Sequence, residues 1–370
     1  MGAKQQIEKY LAQAGLTING PNSWDLQVHN EKLYGRVLKG GSLALGEAYM
    51  DGWWDVEQLD EFFYRLLSPE LWHQFTLTWP IFFNFLRNTL LNLESPSRSF
   101  KVGQEHYDIG NDVYEAMLDK RLVYTCGYWK EARNLEEAQE AKLDLVARKI
   151  GLKENDSVLD IGCGWGSFLK FAAEKYGARG TGVTVSKNQV ELGKKLCQGL
   201  PVDIKLEDYR KTAGEFDHII SLGMFEHVGA KNYRTYMQQA SRLLKDDGLF
   251  LLHTIGVDAP MKFTDPWVEK YIFPNSILPA PSQIAKSIEG LFVIEDWHNF
   301  GADYDKTLMA WFENFDRAWP KLRAHYSERF YRMWKYYLLS FAGSFRGRNL
   351  QLWQIVLSKR GVKGGYKSVR

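Results

Sequence analysis

The sequence predicts an α/β protein with a doubly wound sheet, preceded by a smaller, mostly helical domain. Three observations carry this. From residue 157 onward, short apolar or β-branched runs alternate with helix-length segments. A glycine-rich turn follows the first of those runs and opens a helix. Residues 1–95 instead show helical spacing broken by glycines, without such alternation.

In chain order, Ile7, Tyr10, Leu11 and Ala14 share one helical face, and "WDLQVHN" alternates like a short strand. "EKLYGRVLKGGSLALGEAYMDGWWD" reads as short helices broken at Gly40-Gly41 and at Gly52. An apolar stretch from Leu71 to Leu93 follows, and "ESPSRS" (94–99) reads as a linker, so a boundary is expected near residue 95, with a catalytic domain over 96–370. Asn134 is placed to cap a helix, with Glu137 in the reciprocal position and Arg148 and Lys149 in its last turn. The expected strands are "SVLDI" (157–161), "GTGVTV" (180–185), "VDIKL" (202–206), "FDHIISL" (216–222) and "GLFLLHTI" (248–255), with "LFVIEDWH" and "LQLWQIVLS" later. Between the last two, Phe330, Trp334, Tyr337 and Phe341 form a helical stripe expected to face a core.

Composition narrows the class of protein. The 370 residues carry ordinary apolar and charged fractions, which argues for a globular fold and against disorder. Cys126, Cys163 and Cys197 are too few and too scattered for a disulfide framework, and none sits at zinc-binding spacing, so no metal site is expected and a reducing compartment fits. The opening "MGAKQQIEKYLAQAG" lacks the apolar core of a secretory signal, which predicts a cytoplasmic protein. The most apolar window, "TLTWPIFFNFLRNTLLNL", is interrupted by Pro80, Asn84, Arg87, Asn88 and Asn92, too many polar groups for a spanning helix, although it could lie on a membrane. The net charge of +2 hides an asymmetry, because Arg317 to Arg370 holds 13 Lys and Arg against the single acid Glu328. Such a segment suits a polyanion or simply solvates helix faces, and both readings stand.

The chemistry-bearing residues cluster at expected strand ends. "VLDIGCGWGSF" puts Asp160 at the end of a strand and Gly162, Gly164 and Gly166 in the turn after it, where backbone can approach a ligand closely. A dinucleotide fingerprint would run G-x-G-x-x-G with an acid ending the second strand; here the spacing is G-x-G-x-G and that strand ends in Val183-Thr184, so NAD and FAD are disfavoured. "LEDYR" places Asp208 and Tyr209 after the third strand, "GMFEHVG" places Glu226 after the fourth, and "LLHTIG" brings His253 to the same edge from the fifth. Cys126 sits among Tyr124, Tyr128 and Trp129 with no adjacent His or Asp to activate it, and a buried small hydrophobe is the usual fate of such a thiol.

The G-x-G-x-G turn resembles motif I of class I S-adenosylmethionine-dependent methyltransferases. More specifically, "GEAYMDGWW" (46–54), "EHYDIGNDVY" (105–114), "YTCGYW", "VLDIGCGWG", "GMFEHVG", "LLHTIG", "KYIFPN" (270–275) and "NFGADYDKTLMAW" (299–311) resemble the bacterial cyclopropane-fatty-acyl-phospholipid synthases nearly end to end. The resemblance implies a Rossmann-like seven-stranded sheet. It implies transfer of a methylene group from S-adenosylmethionine across a cis double bond of a phospholipid acyl chain, through a carbocation deprotonated by bound bicarbonate. By the same resemblance Cys126, Glu226, His253, the backbone at Ile255 and Tyr304 hold the bicarbonate. Gly162, Gly164 and Gly166 lie beside the methionine part of the cofactor, Thr184 and Gln189 near its ribose, and Asp208 and Tyr209 at its adenine.

A lipid substrate implies docking on a bilayer, at the inner face of the cell membrane, with no role for nucleic acid. Arg346, Arg348, Lys359, Arg360, Lys363 and Lys367 could meet anionic headgroups at ~1 kcal/mol each. Trp72, Phe75, Trp79, Phe82, Phe83 and Phe85 could supply an apolar contact or the interface of a homodimer. Two alternatives remain open at this level: a small-amine methyltransferase sharing the glycine turn, and a non-catalytic protein that binds lipid or nucleic acid through its basic end.

Overall fold

A computed structural model describes residues 2–67 and 110–370. In chain order the elements are α1 (Ala3–Gln13), β1 (Gln27–Val28), α2 (Lys32–Met50), β2 (Trp54–Asp55), α3 (Leu59–Leu66), α4 (Asn111–Met117), α5 (Leu135–Lys149), β3 (Ser157–Ile161), α6 (Ser167–Tyr176), β4 (Arg179–Thr184), α7 (Lys187–Leu196), β5 (Val202–Leu206), β6 (Phe216–Leu222), α8 (Tyr233–Leu243), β7 (Leu244–Gly256), α9 (Pro266–Tyr271), α10 (Pro281–Ile288), β8 (Val293–Asn299), α11 (Ala302–Leu322), α12 (Glu328–Arg346) and β9 (Gln351–Ser358). The chain divides into two compact units. Among the described residues, one holds 2–67, Lys262–Pro274 and Tyr304–Leu350, and the other 110–261, Asn275–Asp303 and Gln351–Arg370.

The first unit is helical. The break expected at Gly40-Gly41 is present: α2 is two helical stretches meeting at Gly41, whose φ of 58° and ψ of −140° are non-helical values that glycine tolerates. α2 and α3 each bury an apolar face, and neither can do so alone; α12 packs against both. Its stripe is core as expected, with Trp334 and Tyr337 buried and Phe330 stacked on Trp334. The approach of α12 to α3 is close enough that a side chain on Gly343 would meet the backbone of Asp60 at 2.5 Å. The helical unit thus draws on late residues that the sequence reading had placed with the catalytic domain. The expected boundary at residue 95, the linker 94–99, the aromatic stretch from Leu71 to Leu93 and residues 105–109 lie outside the described residues.

The second unit is built on a seven-stranded sheet of order β5-β4-β3-β6-β7-β9-β8. Its first five members are parallel, while β9 runs antiparallel to both β7 and β8. Both faces are covered, so adjacent apolar residues serve opposite layers. Ile219, Leu252 and Ile355 pack with Tyr236 and Met237 of α8, whereas Ile220, Leu251 and Val356 pack with Leu143 and Val146 of α5 and Phe168 of α6. That double burial is why the strands read as continuous apolar runs. α5 begins as expected, with the Asn134 side chain accepting from the Glu137 N–H at 2.9 Å. The strand order reverses between β3 and β6, and open α/β sheets bind ligands beyond the carboxyl ends of the strands at such a point.

The basic end is largely committed to internal ion pairs. Arg346 bonds Asp60 at 2.8 Å and Asp305 at 3.0 Å, and Lys359 and Arg360 both reach Asp246. Arg370 forks onto Asp296 with contacts of 2.6 and 2.8 Å. Lys363 and Lys367 are exposed and have no carboxylate partner among the described residues.

Candidate active site

The glycine turn leaves β3 with all three glycines at positive φ: 83° at Gly162, 56° at Gly164 and 80° at Gly166. Their surroundings differ. A side-chain carbon on Gly162 would strike Met224 at 2.6 Å and one on Gly166 would strike Ile204 at 2.6 Å, whereas one on Gly164 would meet nothing among the described residues within 4 Å. Gly162 and Gly166 are therefore glycines for packing, and Gly164 faces the open space a ligand would fill. Asp160 beneath the turn is buried, and burial pushes its carboxyl up to about 7 against the pull of the Lys142 cation.

The residues expected near the ribose and adenine of a cofactor have partners within the protein. The Thr184 hydroxyl donates to Gln189 Oε1 at 2.7 Å, so these two buried groups satisfy each other at the carboxyl end of β4. Asp208 follows β5 and is gripped by the Arg210 guanidinium at 2.8 and 2.6 Å. The Arg210 cation also lies 5.3 Å from the Tyr209 ring centre. Burial raises the Tyr209 hydroxyl to about 12.

One step along the sheet, the turn after β6 and the end of β7 form a tight pair. Ile255 N–H donates to Glu226 Oε1 at 2.7 Å, and Gly223 N–H donates to the His253 carbonyl at 2.9 Å. The Ile255 amide is thus spent on orienting Glu226. Among the described residues, neither Glu226 Oε2 nor His253 Nε2, both buried, has a hydrogen-bond partner. Burial raises Glu226 to about 7, opposed by its own N–H and that of Ile255. Burial also drives His253 well below the ordinary imidazole range, and the Lys142 and Lys149 cations push it further.

Cys126 is wholly buried in the loop after α4, its thiol 3.1 Å from the Gly127 carbonyl. Its neighbour Thr125 packs so closely on Gly223 that a side-chain carbon there would lie 2.8 Å from Thr125 Cγ2. That contact brings the thiol's loop to the Glu226 and His253 edge. The aromatic setting is partly structural: Tyr124 meets Tyr114 edge-on at 5.2 Å, Tyr128 meets His298 and Phe300, and the Trp129 N–H donates to Asp303 at 2.7 Å. Tyr304 is a residue of the first unit, where its ring stacks on Phe345 at 4.4 Å.

Two residues absent from the sequence reading bear on this site. Lys142 is fully buried on α5, bonded to the Thr125 hydroxyl at 2.8 Å and lowered to about 8 by burial. Gln354 on β9 faces His253 across the ladder, its Nε2 3.3 Å from His253 Nδ1. Neither stood out, because Lys142 reads as one more charge in a highly charged helix and Gln354 as one amide in an apolar strand.

In chemical terms the edge presents one unpaired acceptor, Glu226 Oε2, and one unpaired imidazole nitrogen, with a buried cation nearby. This suits a small anion that carries a hydroxyl, and the space over Gly164 suits a ligand lying against backbone.

The family described as mycolic acid cyclopropane synthetase matches residues 94–355. The cyclopropane-fatty-acyl-phospholipid synthase of Escherichia coli strain K12 is 51% identical over 360 residues, covering 97% of this chain and 94% of that protein. Among solved structures, the mycolic acid cyclopropane synthase CmaA1 complexed with SAH and CTAB is 31% identical with a TM-score of 0.66, covering 70% of this chain and 98% of that one. Coclaurine N-methyltransferase, at 23% identity and a TM-score of 0.70 over 85% of this chain and 99% of that one, shares the fold.

Proposed function

Since the chain belongs to the mycolic acid cyclopropane synthetase family, we propose that it adds one carbon from S-adenosylmethionine across the cis double bond of an acyl chain in a phospholipid, giving a cyclopropane ring. The observation that carries the reading is the pair of buried, unpartnered atoms, Glu226 Oε2 and His253 Nε2, at the edge that also bears the glycine turn. An alkene is a weak nucleophile, so the work of the protein is to hold the reactants in line and to keep water out.

S-adenosylmethionine supplies the carbon when bound, with Gly164 leaving room for it, Gly162 and Gly166 shaping the turn, and Thr184, Gln189, Asp208 and Tyr209 around its ribose and adenine. A bicarbonate, when bound, supplies a small base for the proton that must leave the transferred carbon. Toward that anion Glu226 Oε2 accepts from its hydroxyl, His253 donates, and the Cys126 thiol gives a weak donor. Ile255 acts through its amide, which fixes the Glu226 carboxyl. Tyr304 enters the proposal through its place in the motif "NFGADYDKTLMAW". The Tyr124, Tyr128 and Trp129 rings stand close in sequence to Cys126, and aromatic faces stabilise a transient cation by ~2 kcal/mol or more in a dry site.

On this reading the protein works as a peripheral, cytoplasmic homodimer on the inner face of the cell membrane, with Lys363 and Lys367 available to anionic headgroups. No helix among the described residues is long and apolar enough to cross a bilayer. The test is direct: incubate the protein with S-adenosylmethionine and vesicles of monounsaturated phospholipid, and examine the acyl chains by mass spectrometry. The expected result is a gain of one CH2 with loss of the alkene. Cofactor binding without that gain overturns the proposal.

A further inference from the structure

Across three neighbouring strands, His253 of β7, Gln354 of β9 and His298 of β8 stand directly opposite one another in register. His253 and Gln354 are wholly buried between the apolar layers of the sheet. The polar contact between these two joins Gln354 Nε2 to His253 Nδ1 at 3.3 Å, and Gln354 Oε1 and His253 Nε2 have no partner among the described residues.

The amide has two orientations. With its nitrogen toward the ring, the carbonyl and one N–H go unsatisfied; reversed, both N–H donors do, and a buried N–H without a partner costs ~1–3 kcal/mol and is tolerated less often than an under-satisfied carbonyl. The first orientation is the less costly, and in it the amide donates. Nδ1 must then accept, which leaves the ring proton on Nε2. We propose that Gln354 is a positioning residue that fixes His253 as the neutral ring protonated on Nε2, so that the imidazole offers the site a donor and never a lone pair.

This rests on the reading of the site as one that binds an anion beside an alkyl donor. A donor at Nε2 complements the acceptor at Glu226 Oε2, so one anion with one hydroxyl satisfies both. The opposite neutral ring would expose a nitrogen lone pair, a better nucleophile than an alkene, in a pocket built for alkyl transfer. A doubly protonated ring is opposed by the Nδ1 contact and by the buried Lys142 and Lys149 cations. Lys149 itself is held by His298 at 3.0 Å and by Asp296 at 3.6 Å. Glu226 is the carboxylate that shares this edge with the ring, and burial holds it partly protonated near neutral pH.

The test uses the full chain labelled with 15N-histidine. His253 is identified among the eight histidines by its absence from the spectrum of H253Q. Long-range proton–nitrogen correlations between pH 6 and 8.5 are expected to show one neutral His253 ring with its proton on Nε2 throughout. In Gln354→Glu the new carboxylate accepts from Nδ1–H, so the pattern should reverse. kcat should then fall roughly 10–100-fold, as when the partner orienting a reacting imidazole is lost, with cofactor affinity unchanged. A wild-type ring protonated on Nδ1, or on both nitrogens, overturns the proposal, as does a Gln354→Glu protein that keeps both the wild-type pattern and rate. The wild-type spectrum decides even where the variant fails to fold. A correct spectrum with no lipid product would sink the proposed function and leave this assignment standing.

Discussion

Replacing Glu226 by glutamine separates the cost of this buried carboxylate from its proposed use. Burial raises this carboxyl from 4.5 to about 7, while in the unfolded chain it titrates near its ordinary value. Between those two values the native state holds a proton that the unfolded state has released, so stability falls as pH rises through that window and levels off above about 7. Each tenfold weakening of the acid on folding is worth about 1.4 kcal/mol, so the native protein carries about 3 kcal/mol of ionisation cost at pH 8 and under about 1 kcal/mol at pH 5. Glutamine keeps the shape and a carbonyl to accept from Ile255 N–H, but it does not ionise. The stability of the variant relative to wild type should therefore improve by roughly 2–3 kcal/mol between pH 5 and pH 8. Urea unfolding of both proteins at the two pH values measures that difference, and titrations shared by the two cancel in it. Activity should move the other way. The new NH2 presents a donor where the site needs an acceptor, and product formation should drop roughly 100-fold or more. Wild-type activity should climb through pH ~7 as Glu226 ionises, and this limb should vanish in the variant. A stability gap that does not change with pH would refute the buried-carboxylate argument.

Three further outcomes follow from individual contacts. Gly164→Ala should lose ~1–2 kcal/mol to its left-handed backbone and no more, since its side chain meets no protein atom, yet cofactor affinity by calorimetry should fall at least tenfold. Cys126→Ser should keep measurable product formation, because the hydroxyl replaces a weak donor, whereas a covalent thiol mechanism predicts almost none. Lys363→Ala with Lys367→Ala should weaken sedimentation with anionic vesicles in a salt-dependent way and leave the melting temperature in place; Arg346→Met should instead lower stability by about 2 kcal/mol, since it strands Asp60 and Asp305. Vesicle binding that ignores the lysine pair would remove the basic end from the docking model.

Which parts of this protein could be read in advance depends on how local their cause is. β3, β6 and β7 announce themselves because both faces of a central strand are buried, and no polar residue needs to interrupt the run. The start of α5 is equally plain, since Asn134 and Glu137 act within one turn. Glu226 and His253 were legible as a pair because the ends of adjacent parallel strands are forced to one edge. The less legible parts share the opposite property. Arg346 looked like free positive charge because the acids that neutralise it, Asp60 and Asp305, lie far away in sequence. α12 was assigned to the later domain because its aromatic stripe shows that it needs a partner but not which one.

Gln354 is the sharpest case. Within "LQLWQIVLS" it is one amide in a strand, indistinguishable from a tolerated polar substitution until the antiparallel return of β9 places it across from His253. The parallel strands could be aligned from their shared exit edge, but a strand that comes back from the far end of the chain has no such marker. Its register is set by a pattern of period two that any even shift would satisfy equally well. Residues that tune a site from an antiparallel neighbour are therefore the ones a sequence hides best. Such a residue shows itself when a buried polar atom has its partner, among the described residues, on a side chain of the candidate site.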